Sequence, residues 1–145
     1  MRTNYLGAGH IRSFIAEGCI RVVAPTLAGT LSGFLAGLPW AVNRLAWETI
    51  GVAVKAPLGE IQDPLFVSLV QRVRTEVPQL ILVYSDLEAV VGETKWVLEH
   101  LDELVWGAAG PRYLVGASDG PEGPVPQHEV VLEFDGVETV RAGLP

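Results

Sequence analysis

Leu80-Ile81-Leu82-Val83-Tyr84 is the stretch on which the reading of this chain turns. Five apolar residues follow one another between Pro78 and Ser85, too few for a buried helix. Without a polar alternation, such a run reads as a strand covered on both faces. Upstream, the pattern predicts a helix from Pro64 to Val77. Asp63 is a suitable N-cap, Pro64 occupies the first helical position, and Leu65, Phe66, Leu69, Val70 and Val73 form one apolar stripe that ends at Pro78. Downstream, Ser85 and Glu88 have capping-box spacing and predict a short helical turn, broken at Gly92. A second helix is expected from Glu93 to Trp106. Its buried side would carry Trp96, Val97, Leu101, Leu104 and Val105, and its wet side Glu99, His100, Asp102 and Glu103.

Further along, Tyr113-Leu114-Val115 reads as a strand, Ser118 to Gln127 as a loop, and the alternation of Val130, Leu132 and Phe134 as another strand. Asp135-Gly136 is a two-residue turn signal, after which Val137 to Arg141 returns as the second arm of a hairpin. In the first third, Ile11 to Glu17 looks helical, Cys19 to Ala24 and Val52 to Ala56 look like strands, and two helices lie between them, the second from Trp40 to Ile50. The expectation is an α/β (or α+β) single domain over residues 1–145. It has a mixed sheet of about five to six strands, helical crossovers packed on it, and a C-terminal antiparallel hairpin.

The 145 residues are 49% hydrophobic and 19% charged, with mean hydropathy +0.33, which excludes disorder. The net charge of −7 divides unevenly. Residues 1–85 carry seven basic and five acidic groups (+2), and residues 86–145 carry three basic and twelve acidic groups (−9). That balance argues against a nucleic-acid partner held by phosphate contacts. Cys19 is the only cysteine, so the chain has no internal disulfide and no thiol pair for zinc.

Val22 to Asn43 is uncharged and long enough on paper to span a bilayer as a helix. Pro25, Pro39 and four polar side chains interrupt it, so a packed helix is expected, with Gly29, Gly33 and Gly37 clearing room for a neighbour in this chain or another. The N-terminus lacks the charged and apolar regions of a secretory signal, and the expectation is a cytoplasmic protein.

Three motif matches fail on context. Gly7-Ala8-Gly9 begins like a dinucleotide fingerprint, but Arg12 stands at the third glycine position and no buried strand precedes it. Gly116-Ala117-Ser118-Asp119-Gly120 has nucleophile-elbow spacing, but Pro121, Gly123 and Pro124 forbid the helix that must follow. His100 with Glu99, Asp102 and Glu103 falls short of a ligand set, and no cofactor or metal is expected.

Two functions remain. The first is a small acidic, non-enzymatic binding protein that docks a basic protein or self-associates, using Glu99, Asp102, Glu103 and Trp96. The second is a small-molecule enzyme or ligand carrier whose pocket opens beyond the strand ends, at Tyr84, Ser85, Asp86 and Ser118. A cavity beside Tyr84 is what separates them.

Overall fold

The computed structural model describes residues 9–41, 44–50, 53–57, 71, 76–105, 111–134 and 139–143. Helix α1 (Gly9–Ala16) leads through Gly18, at φ 78°, into strand β1 (Ile20–Val22). Helix α2 (Pro25–Ala36) has its proline in the first turn, where a missing N–H costs nothing, and closes at Gly37. Strands β2 (Trp40–Ala41) and β3 (Arg44–Leu45) form a small ribbon, followed by a 3-10 turn at Trp47–Thr49 and by β4 (Ala53–Pro57). Then come β5 (Gln79–Val83), β6 (Ala89–Glu93), α3 (Thr94–Glu99), α4 (Leu101–Leu104), β7 (Arg112–Gly120), β8 (Gly123–Phe134) and β9 (Thr139–Gly143).

The strands assemble in the order β1-β6-β5-β7-β8-β9-β4, with five central strands between the short edges β1 and β4. Every pairing in this sheet is antiparallel, which corrects the expectation of parallel pairs. A helical crossover is nevertheless present. The chain leaves β6 through α3 and α4 and enters β7 on the far side of β5, so β6 and β7 run the same way without touching. The apolar run is covered on both faces, as its lack of polar alternation predicts. Residues Leu80 to Val83 are all buried, but an antiparallel sheet can also carry helices on both faces.

Side chains alternate between two apolar layers, as the pleat requires. Leu80, Leu82, Val90, Leu114 and Leu132 pack with Ile11 of α1 and with Val97, Leu98, Leu101 and Leu104 of α3 and α4. Ile81, Val83, Val91, Tyr113, Val115 and Val131 pack with Ala28, Leu31 and Leu35 of α2, and with Leu45, Trp47 and Ile50. Helix α2 is thus a packed helix, and no helix of the described residues is long and apolar enough to cross a membrane. Of its glycines, Gly29 carries the close approach: a Cβ there would stand 3.3 Å from the Asp86 carbonyl oxygen, whereas one at Gly33 would meet nothing within 4 Å.

Other local expectations change for identifiable reasons. Ser85 Oγ does accept from the Leu87 and Glu88 amides, at 3.2 and 3.1 Å, but the motif closes the β5–β6 hairpin and no helix follows. The expected helix from Trp40 to Ile50 is replaced by the β2–β3 ribbon. The Trp40 indole folds back to donate to the Leu35 carbonyl at 3.0 Å, and the Ala46 amide bonds Pro39 across the ribbon at 2.9 Å. The helix expected from Glu93 starts at Thr94 and breaks at His100.

The segment from Ser118 to Gln127 is a β ladder, turned between Gly120 and Gly123, where φ is 126°. Pro124 and Pro126 are accommodated in β8 because, among the described residues, β9 joins its other edge only at Val131. The helix expected from Pro64 to Val77 falls mostly outside the described residues; Gln71 is helical, and Glu76 and Val77 are not.

The hairpin at the C-terminus pairs in a register that sequence reading misses. Asp135-Gly136 lies outside the described residues, but a two-residue turn there would set Phe134 against Val137, and Phe134 in fact faces Val140. The same shift brings Arg141 opposite Glu133.

Candidate functional site

Antiparallel pairing decides which residues share an end of the sheet. Strands β5 and β7 run oppositely, so Tyr84 and Ser118, each late in or just after its strand, stand at opposite ends. Tyr84 and Ser85 line a hollow of about 250 Å³ together with Ser32, Leu35 and Ala36 of α2, Trp40, Val83, and Pro111 to Tyr113. Ser118 lines a different hollow of about 420 Å³, with Gln71, Glu76, Val77, Pro78 and Gln127. Asp86 is exposed in the β5–β6 connection and lines neither.

Two aromatic residues, Trp40 and Tyr113, meet in the wall of the first hollow. Trp40 remains 38% exposed, and its ring meets Tyr113 edge-on, with centroids 5.3 Å apart. Val83 and Leu35 supply aliphatic wall, and the Ser32 side chain is half-buried at the lining. The Tyr84 hydroxyl takes no part, because it donates to the Leu104 carbonyl at 2.9 Å, in the layer of α4. Burial there pushes that hydroxyl above the ordinary phenol range, with Arg112 pulling it back and Glu88 raising it further. Strand alternation puts Arg112 with Leu114 on this same side, away from Tyr113.

Behind the Tyr113 ring lies a buried carboxylate. Glu133 has no exposed surface, yet it is held from three directions. Its Oε2 accepts from the Tyr113 hydroxyl at 2.8 Å and from the Leu45 amide at 3.3 Å, and its Oε1 accepts from Arg141 Nη1 at 3.1 Å. The Leu45 amide is also 3.3 Å from the Tyr113 hydroxyl oxygen, and Leu45 is the register partner of Trp40. An unpaired carboxylate here would be prohibitively costly. Three donors, one of them a guanidinium, supply the compensation that burial demands.

The other predicted residues occupy the α3–α4 layer. Trp96 is half-buried, stacked on His100 at 4.1 Å and edge-on to Phe14 at 5.0 Å. Glu99 pairs loosely with Lys95 at 3.9 Å, Glu103 is exposed, and the Asp102 side chain is outside the described set. Among the described residues, the acidic groups beyond Ser85 do not gather on one face. Asp86 and Glu88 sit at one end of the sheet, Glu93 and Asp119 at the other, and Glu133 is inside. Asp119 meets Arg21 at 3.8 Å and Gln79 at 2.9 Å.

Of the residues expected at a pocket, Tyr84 and Ser85 line this hollow; Trp40 is legible in the sequence only as one of four tryptophans able to line a pocket, and Tyr113 and Glu133 carry no such signal. Alternation placed Glu133 on the polar side of its strand, and only the register of β9 could have revealed the pairing with Arg141. No protein-family model, curated protein or solved structure matches this chain.

Proposed function

We propose that the protein is a binding domain for a small, planar, largely apolar organic molecule seated in the hollow beside Tyr84 and Ser85. The observation that carries this reading is the pair of rings, Trp40 and Tyr113, converging on a concave site with serine side chains at its lining. Small-molecule sites are built this way, with mostly aromatic and aliphatic walls and a few polar groups that fix orientation. The volume of about 250 Å³ suits a single or fused ring system. The test is a thermal-shift screen of ring compounds against the native chain and an Ala36→Trp variant, in which the indole fills the hollow from its exposed side. Compounds that raise the melting temperature of the native chain but not of the variant support the reading; equal shifts, or none, count against it.

A second reading keeps the protein as a partner for a basic protein, docked on Trp96, Glu99 and Glu103. It is favoured by the half-exposed Trp96–His100 stack beside two carboxylates, since a partly exposed tryptophan is the residue type most enriched at interface hot spots. Reversing Glu99 and Glu103 to lysine should then slow association with a lysine-rich peptide in low salt. An unchanged on-rate would remove this reading.

A further inference from the structure

We infer that Glu133 is a positioning residue for the hollow, fixing both of its aromatic walls from behind; this rests on the reading of the hollow as a binding site. The geometry runs along two short paths. One is direct, from Glu133 Oε2 to the Tyr113 hydroxyl at 2.8 Å, which fixes the tilt of that ring. The other passes from the same oxygen to the Leu45 amide at 3.3 Å, and across the β2–β3 ribbon to Trp40. Trp40 is tied at its other end by the indole bond to Leu35, at the end of α2. The two rings therefore meet at 5.3 Å because one buried carboxylate holds the tyrosine and the strand that carries the tryptophan's partner.

Stability alone does not call for this arrangement. A buried ion pair can be replaced by apolar residues of similar volume at little or no cost to the fold, because both charges must otherwise be desolvated. What an apolar pair cannot do is accept the Tyr113 hydroxyl and the Leu45 amide. Without that acceptor, the ring can rotate and the ribbon can shift, and a binding site loosened in this way loses affinity through the ordering it must then undergo.

The experiment compares the native chain with the Glu133→Leu, Arg141→Met double variant and with Glu133→Gln, which keeps an acceptor oxygen. Three quantities are read: the denaturation midpoint, the ring-to-ring nuclear Overhauser contacts between Trp40 and Tyr113, and the dissociation constant for indole from backbone amide shifts. The expected result is a double variant that still folds, with a midpoint lowered by the donors left short of an acceptor, that loses the Trp40–Tyr113 contacts and binds indole about tenfold more weakly, the equivalent of ~1.4 kcal/mol. Glu133→Gln should recover most of the affinity. A double variant that keeps the ring contacts and the affinity overturns the inference.

If the double variant does not fold, Tyr113→Phe decides instead, since it leaves the carboxylate paired with Arg141. Loss of the ring contacts between Trp40 and position 113 in that variant then supports the inference, and their retention overturns it. Should the native chain itself fail to bind indole, it is the binding reading that falls. The ring contacts still decide whether Glu133 positions them, their loss in the variants supporting the inference and their persistence overturning it.

Discussion

The Glu133 carboxylate and the Tyr113 hydroxyl, 2.8 Å apart on neighbouring strands, join the buried interior to the wall of the hollow. They are directly opposed residues that register alone brings together: Tyr113 pairs with Glu133 across β7 and β8, and Glu133 in turn pairs with Arg141 across β8 and β9. A slip of one residue would turn the carboxylate to the other face of the sheet.

Removing one side of that pair should be costly. Arg141→Met leaves Glu133 without its cation, and destabilisation of about 3–5 kcal/mol is expected from an uncompensated buried charge. The double change with Glu133→Leu should cost far less than Arg141→Met alone. Denaturant midpoints of the single and double variants check this, and additive effects would show that the two side chains are energetically independent.

The glycines separate packing from spacing. Gly92→Ala would set a Cβ 2.8 Å from Val97 Cγ2 and 3.0 Å from Ile20 Cγ2, and a loss of about 1–3 kcal/mol is expected from overpacking. Gly33→Ala meets nothing within 4 Å and lies inside α2, so it should stabilise by up to ~1 kcal/mol through helix propensity. Gly29→Ala, pressed 3.3 Å from a backbone oxygen, should gain less than Gly33→Ala or lose outright. Thermal unfolding of the three variants gives the order directly.

Alkaline pH should expose Tyr84. Its hydroxyl is raised above the ordinary value of 10.0 by burial, so the folded state holds the proton more tightly than the unfolded chain does. The corresponding stability is complete below pH 10.0, and it fades as pH rises from there towards the folded value. Tyr84→Phe should flatten that alkaline decline while costing about 1 kcal/mol at neutral pH from the lost bond to Leu104. An unfolding series across alkaline pH, with and without the substitution, reads both effects.

Local patterns carried much of the fold. The apolar run at Leu80 to Val83, the amphipathic stripe after Glu93, and the alternation from Val130 to Phe134 each mark a real element, because burial on one or two faces is written in the period of the side chains. Strand direction was not legible. A run buried on both faces looks the same whether its neighbours run parallel or antiparallel, and the wrong choice put Tyr84 and Ser118 at one end of the sheet. The Trp40 ribbon escaped for a different reason. Trp40 and Trp47 have helical spacing, and only the tertiary bond from the Trp40 indole to Leu35 turns the chain back. Glu133 was hidden by register, a long-range quantity that alternation within one strand cannot supply.

We propose that the hollow between α2, Trp40 and Tyr113 binds a planar molecule. The most direct measurement is a titration of the labelled chain with indole, followed by backbone amide shifts. Saturable shifts are expected, confined to Ser32 to Ala36, Trp40, Val83 to Ser85, and Arg112 and Tyr113. Shifts centred on Trp96 and Glu103, or no saturable shift at the hollow, would contradict it.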